Sequence, residues 1–63
     1  MTDIEDAESR EHATRVMHQQ LTAAFARGEP VGGLALHAHA EWIQAKDHLA
    51  MIMFSEFLDR VTA

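Results

Sequence analysis

The stretch from Leu34 to Val61 reads LALHAHAEWIQAKDHLAMIMFSEFLDRV and contains neither glycine nor proline. We predict one uninterrupted helix here, because nothing in the stretch stops a helix. At 100° per residue its apolar side chains spread over roughly 260° of the circumference, whereas an ordinary surface helix needs little more than ~100°. A helix that is apolar on most sides is normally surrounded by partners. Something must therefore cover it.

Only one narrow strip of this helix is continuously polar. It consists of His37, Glu41, Gln44, His48, Ser55, Asp59 and Thr62. The apolar remainder holds two stripes. The first, around Ala38, Ala45 and Leu49, has small side chains that permit the close approach of another helix. The second is bulkier and consists of Ile43, Ala50, Phe54, Phe57 and Val61. We expect one stripe to meet the rest of the chain and the other to meet a second molecule.

A first helix is predicted near the N-terminus. Thr2 and Glu5 have the spacing of a capping box, so the helix should begin near Thr2 or Asp3. Its apolar stripe recurs at three- and four-residue intervals and consists of Ala13, Met17, Leu21, Ala24 and Phe25. The helix should end at about Arg27, because Gly28 suits a left-handed cap position and Pro30 follows two residues later.

These patterns predict an all-α fold. Helix 1 covers about residues 3–27 and helix 2 about 33–62, and together they form an antiparallel hairpin that makes residues 1–63 a single domain. A chain of this size supplies little core of its own without disulfides, a metal or oligomerisation. We therefore expect the hairpins to assemble into a homodimeric four-helix bundle, with helix 2 central, or into a higher helical oligomer.

Composition narrows the function classes. The chain has no cysteine, which excludes disulfides and thiolate metal sites and fits a cytoplasmic protein. The acidic N-terminus lacks the pattern of a secretory signal. The longest apolar run, from Leu49 to Phe54, is far short of the ~20 residues that span a bilayer. The net charge of −5 and the scattered arginines argue against nucleic-acid binding.

The predicted interface follows from the two apolar stripes and the single tryptophan. Trp42 is a candidate anchor for a partner protein, because tryptophan is enriched among interface hot spots; the alternative is that it lies in the core of a homo-oligomer. The Met51–Phe54 run has the same two interpretations, an adaptable binding groove or packing. The predicted interface residues are Leu36, Ala38, Trp42, Ile43, Ala45, Leu49, Ala50, Met53, Phe54, Phe57 and Val61.

Five histidines in so short a chain raise the question of a metal site. His37, Glu41 and His48 project from one face of helix 2, and imidazole with carboxylate suits zinc or iron. The alternative is that they form the solvent side of the helix. No histidine has a carboxylate three residues before it, so the pattern of di-iron bundles is absent. No cofactor is expected unless zinc or iron binds these residues.

The other histidines and the serines support no site. His39 lies within the apolar arc, either as a neutral residue at a helix contact or as a pH-sensitive element at an interface. His12 and His18 share no face. Ser9 and Ser55 are the only serines, and neither has the Gly-x-Ser-x-Gly setting of a nucleophile. We therefore predict that the protein is not an enzyme.

The leading functional hypothesis is a small oligomeric adaptor or regulator that acts by protein–protein contact, with itself and with another protein as partners. The first alternative is a metal- or ligand-binding bundle that uses the histidines of helix 2. The second is a nucleic-acid-binding regulator, since the hairpin length and expected dimer resemble those of the small plasmid copy-control protein Rop. That resemblance is one of architecture and carries no motif, so it transfers no residue and no RNA-binding role.

Overall fold

The fold is a two-helix hairpin, in a computed structural model that describes residues 2–62. Helix α1 covers Asp3–Ala26 and helix α2 covers Gly32–Thr62, with a five-residue connection at 27–31. The helices pack on each other along their length, antiparallel, and the molecule measures 53 × 19 × 13 Å. The predicted all-α hairpin is confirmed, and its inner helix boundaries were each wrong by only one residue.

Helix α1 begins at the predicted cap. The Thr2 hydroxyl accepts a hydrogen bond from the Glu5 backbone N–H at 3.3 Å, and the Thr2 carbonyl accepts one from Asp6 N at 3.1 Å. Asp3, Glu5 and Asp6 lie in the first turn, where the partial positive charge of the helix end favours carboxylates. The cap and the charges together specify where α1 starts.

The turn after α1 is a Schellman motif built around Gly28. Gly28 has φ +90°, its N–H bonds to Phe25 O at 3.0 Å, and the Glu29 N–H bonds to Ala24 O at 3.1 Å. The Arg27 guanidinium binds the Glu29 carboxylate at 2.9 Å across the same turn. The predicted left-handed cap at Gly28 is confirmed, and it reverses the chain so that α2 runs back along α1.

Alanines make up the centre of the hairpin. The buried residues are Ala7 and Ala24 of α1 and Ala38 and Ala45 of α2, and within residues 2–62 no large side chain is fully buried. Ala45 is the most enclosed, at 1% exposure. A contact made by methyl groups holds two helix axes close together, because interaxial distance depends on the side chains between them.

The stripe of α2 that faces α1 repeats every seven residues. Its members are the covered or half-covered residues Val31, Ala35, Ala38, Trp42, Ala45, Leu49 and Ile52, which we call the inner seam. The alternating spacing of four and three is that of a coiled-coil contact. The small-residue stripe around Ala38, Ala45 and Leu49 is therefore the one that meets helix α1.

The predicted stripe of α1 was partly wrong. Leu21 and Ala24 are covered as expected, but Ala13, Met17 and Phe25 are exposed. The face that α1 turns to α2 instead holds Ile4, Ala7, Glu11, Thr14, His18 and Leu21, again at seven-residue spacing. This face mixes apolar and polar side chains, which is why a search for apolar residues alone did not find it.

Helix α2 is longer than helix α1. It has 31 residues and α1 has 24, so at 1.5 Å per residue its C-terminal end, from about residue 56, extends roughly 10 Å beyond the start of α1. We call residues 56–62 the overhang. Helix α1 cannot cover these last turns, whatever face they present.

The backbone conformations of Gly28 and Gly33 predict different effects of an alanine substitution on stability. An added Cβ meets nothing within 4 Å at either Gly28 or Gly33, but only Gly28 has a positive φ. Gly28→Ala should destabilise the fold by about 1 kcal/mol, because an L-residue is strained there. Gly33→Ala, the matched control, should be neutral or stabilising by up to about 1 kcal/mol. Urea unfolding followed by circular dichroism measures both, and equal effects would contradict the Schellman turn.

Candidate interaction surfaces

Large apolar side chains lie on the outside of the hairpin. Ten of them are each at least 42% exposed: Met17, Phe25, Leu34, Leu36, Met51, Met53, Phe54, Phe57, Leu58 and Val61. Six of these lie between Met51 and Val61, in and beside the overhang. Single exposed apolar residues are normal on a protein surface, but a contiguous patch marks an interaction site or an aggregation liability.

The structure divides the predicted interface residues between two places. Those of the inner seam are Ala38 and Ala45, which are buried, and Trp42 and Leu49, which are half-buried. The others lie away from the inner seam or at its edge: Leu36, Ile43, Ala50, Met53, Phe54, Phe57 and Val61. Of this second group only Ile43 is half-buried. The hairpin uses the first set, and the second set remains available to another molecule.

The exposed phenylalanines near the overhang lie side by side. The rings of Phe54 and Phe57 are stacked with their centroids 6.5 Å apart, and the two side chains are 61% and 53% exposed. The Phe25 ring, near the turn, lies instead against the first turn of α2, where a Cβ added at Gly32 would be 3.3 Å from its Cε2 atom. The stacked pair of exposed phenylalanine rings therefore lies far from the turn.

Aromatic rings from both helices meet beside the inner seam. His18 of α1 stacks on Trp42 with a centroid distance of 5.1 Å, and His39 lies 4.8 Å from His18. The Lys46 ammonium lies 4.8 Å from the Trp42 ring, within range of a cation–π interaction. This aromatic cluster joins the two helices at the level of Trp42, itself a residue of the inner seam.

Sequence reasoning missed His18 in this cluster. We predicted no site at His18 because it shares no face with His12, but the relevant neighbours are on the other helix. The available signal was its spacing: His18 is three residues before Leu21 and four after Thr14, on the heptad that faces α2. His39 does lie beside a helix contact, as one of its two interpretations required, although it stays exposed.

The Trp42 indole N–H is the one buried side-chain polar atom without a hydrogen-bond partner among the residues described. Burying such a donor without a partner costs free energy, and each case calls for an explanation. Here the ring makes its contacts through its faces, with the His18 ring stacked at 5.1 Å and the Lys46 ammonium 4.8 Å from its centroid, while the buried N–H has no partner. Trp42 thus contributes through its faces and its bulk.

The candidate metal ligands lie on the exposed polar strip of α2. His37 Nε2 and Glu41 Oε1 are 2.6 Å apart and form a pair one turn apart on the helix. His48 lies seven residues beyond Glu41, about 10 Å along the helix axis. Within residues 2–62 no group of three metal-ligating side chains converges. A site that used all three would need ligands from a second chain, and the metal hypothesis stays a prediction.

Neither helix of the described chain is long and apolar enough to cross a membrane. No protein-family model matches the chain, and no curated protein or solved structure is significantly similar to it. The arrangement of its own side chains therefore has to carry any functional argument.

Two substitutions of Trp42 separate the contribution of its ring to stability from that of its N–H. Trp42→Phe keeps an aromatic face and removes the unpaired donor, so it should cost less than about 1 kcal/mol of stability. Trp42→Ala, which removes the ring as well, should cost about 3 kcal/mol. Unfolding followed by circular dichroism compares the two variants. A Phe variant as unstable as the Ala variant would mean that the N–H makes an important bond.

The metal hypothesis has its own test. If His37, Glu41 and His48 bind zinc across two chains, zinc must raise the melting temperature, because a ligand bound only by the native state stabilises it. The rise should disappear in His48→Ala and persist in His12→Ala, which changes a histidine on the other helix. Thermal melts with and without zinc measure this, and an unchanged wild-type melting temperature removes the hypothesis.

Proposed function

We propose that this protein is a small, non-enzymatic helical hairpin that self-associates and acts as an adaptor or regulator through protein–protein contact. The observation that carries the proposal is the inversion of its packing: alanines are buried, and ten large apolar side chains are exposed. Such a surface favours association, since large exposed apolar patches are rare on monomeric soluble proteins. A cytoplasmic location, which the absence of cysteine favours, belongs to the same proposal.

The surface area of the single chain supports association. A compact monomer of 7.1 kDa should expose about 4,100 Å². The hairpin exposes 4787 Å², an excess of roughly 700 Å², and a standard protein interface removes about 800 Å² from each partner. The excess thus has the size of one interface per chain.

The small core supports the same conclusion. Each buried alanine contributes one methyl group, worth about 0.8 kcal/mol on the scale of a buried CH₂ group. The chain also lacks the disulfides that stabilise many small domains. A hairpin whose buried residues are Ala7, Ala24, Ala38 and Ala45 needs further burial for stability, and association supplies it.

Charge distribution makes protein contact a better proposal than nucleic-acid binding. Arg15 pairs with Glu11 at 3.6 Å and Arg27 with Glu29 at 2.9 Å, while Lys46 lies over an aromatic ring. Three of the five basic residues are therefore engaged within the hairpin, on a chain of net charge −5. Nucleic-acid binding usually requires a basic patch or stripe on one face.

A charge placed in the exposed stripe should break the association. We predict that Phe54→Asp yields a monomer that is also largely unfolded, because small obligate oligomers have no stable separate monomer. Ser55→Asp is the matched control: it adds the same charge one residue later, on the polar strip, and should change neither property. Sedimentation equilibrium gives the mass and circular dichroism the helix content.

Two outcomes would contradict the proposal at different levels. A Phe54→Asp variant that is monomeric yet fully helical and cooperatively folded would show that the hairpin is self-sufficient. A wild-type protein that sediments as a stable, folded monomer at micromolar concentration would overturn self-association itself.

A further inference from the structure

The uncovered side of α2 carries a second seven-residue repeat. It runs Leu36, Ala40, Ile43, Asp47, Ala50, Phe54, Phe57 and Val61, with alternating spacings of four and three, and we call it the outer seam. Its members are exposed in the hairpin, except for the half-buried Ile43. A heptad of this kind is the pattern by which one helix packs along another. From Leu36 to Val61 it is about 38 Å long.

The outer seam is free to be occupied without disturbing the hairpin. On a helical projection its centre lies roughly 140° round α2 from the centre of the inner seam. Helix α1 occupies the inner seam, so a third helix can pack on the outer one while α1 stays in place. A helix of similar length can therefore pack along the outer seam, in which Asp47 is the only charged residue.

We propose that the occupant is α2 of a second copy of this chain, packed antiparallel about a two-fold axis that passes between Asp47 and Ala50. This inference rests on the proposed self-association and specifies its contact. Helical register then places Phe54 against Ile43 of the second copy, Phe57 against Ala40, and Val61 against Leu36. Asp47 lies against Ala50. Each contact occurs twice, as an isologous two-fold interface requires.

The charge in the seam favours this direction over a parallel one. A parallel pair would place Asp47 directly opposite Asp47 of the second copy, and two like charges in an apolar seam repel each other and pay for desolvation. The antiparallel pair places each carboxylate opposite a small alanine and shifts the two by three residues, about 4.5 Å along the axis. Because the alanine side chain is small, the Asp47 carboxylate keeps access to water.

Side-chain size favours the same direction. In a parallel pair Phe57 meets Phe57 and Ala40 meets Ala40, so one level is crowded and the other is left with a gap. In the antiparallel pair Phe57 meets Ala40, and a large residue packs against a small one at both ends. Alternating large and small residues is how facing helices reach native packing density.

The overhang also favours the antiparallel direction. In a parallel dimer the two overhangs would lie together, beyond both copies of α1, with only each other as cover. In the antiparallel dimer each overhang lies beside the two-helix part of the other chain, where Val61 reaches the level of Leu36. The antiparallel arrangement therefore covers the surface that α1 is too short to reach.

Spin labels on the full chain test the direction, since the protein has no cysteine of its own. For a label at Thr62→Cys the antiparallel dimer predicts a separation of about 40 Å between the two copies, and a parallel dimer predicts less than about 25 Å. A label at His48→Cys, close to the proposed axis, is the control and should give about 25 Å in either direction. Electron–electron double resonance measures both distances.

A charge substitution tests the seam itself. Ala40 is exposed in the hairpin, so Ala40→Glu leaves the α1–α2 contact intact while placing a carboxylate opposite Phe57 of the second copy. It should weaken dimerisation at least tenfold, whereas Ala23→Glu, at an exposed position of α1, should leave the dissociation constant unchanged. Sedimentation equilibrium gives both constants.

The outcomes separate this inference from the proposed function. A dimer with Thr62 labels near 40 Å and weakened by Ala40→Glu supports the antiparallel outer seam. A stable dimer whose Thr62 labels lie within 25 Å, or that tolerates Ala40→Glu, overturns the inference and leaves self-association standing. A chain that stays monomeric overturns both.

Discussion

The packing of α1 along one heptad stripe of α2, with four alanines as its buried residues, is the contact on which the rest of this structure depends. Ala7 and Ala24 on α1 and Ala38 and Ala45 on α2 are the buried residues of this contact, and larger side chains of both helices are half-buried beside them. Such a contact is narrow. It encloses one heptad stripe of α2 and leaves the bulky side chains of that helix outside, because a thin partner helix cannot reach round its circumference.

Two features of the surface follow from that narrow contact. Large rings take part in the contact as well, since His18 stacks on Trp42 and the Lys46 ammonium lies over the Trp42 ring. Helix α1 does not cover the apolar residues on the far side of α2, and the difference in helix length extends this exposed surface past the end of α1. The hairpin thus has a covered seam and an exposed seam on the same helix.

Most of the fold could be predicted from sequence because its signals are local. The Thr2 cap, the stop at Gly28 and the glycine- and proline-free stretch after Leu34 each act through the backbone of a few neighbouring residues. The face of α1 was harder to predict. Hydrophobicity selected Met17 and Phe25, whereas the structure turns Thr14 and His18 inward. Which side chains of α1 face inward depends on how the two helices fit together, and the hydrophobicity of α1 alone does not give that fit.

What the sequence determined by itself was the presence and length of two helices, the place where the chain reverses, and an excess of apolar surface on the second helix. These depend on propensity, capping and composition, which are properties of short segments. Only the tertiary structure decided which stripe of α2 packs against α1 and which stays exposed. It also brought together the aromatic cluster from side chains of both helices. The physical reason is that both results require the relative rotation of α1 and α2, and side chains distant in sequence set that rotation by fitting against each other.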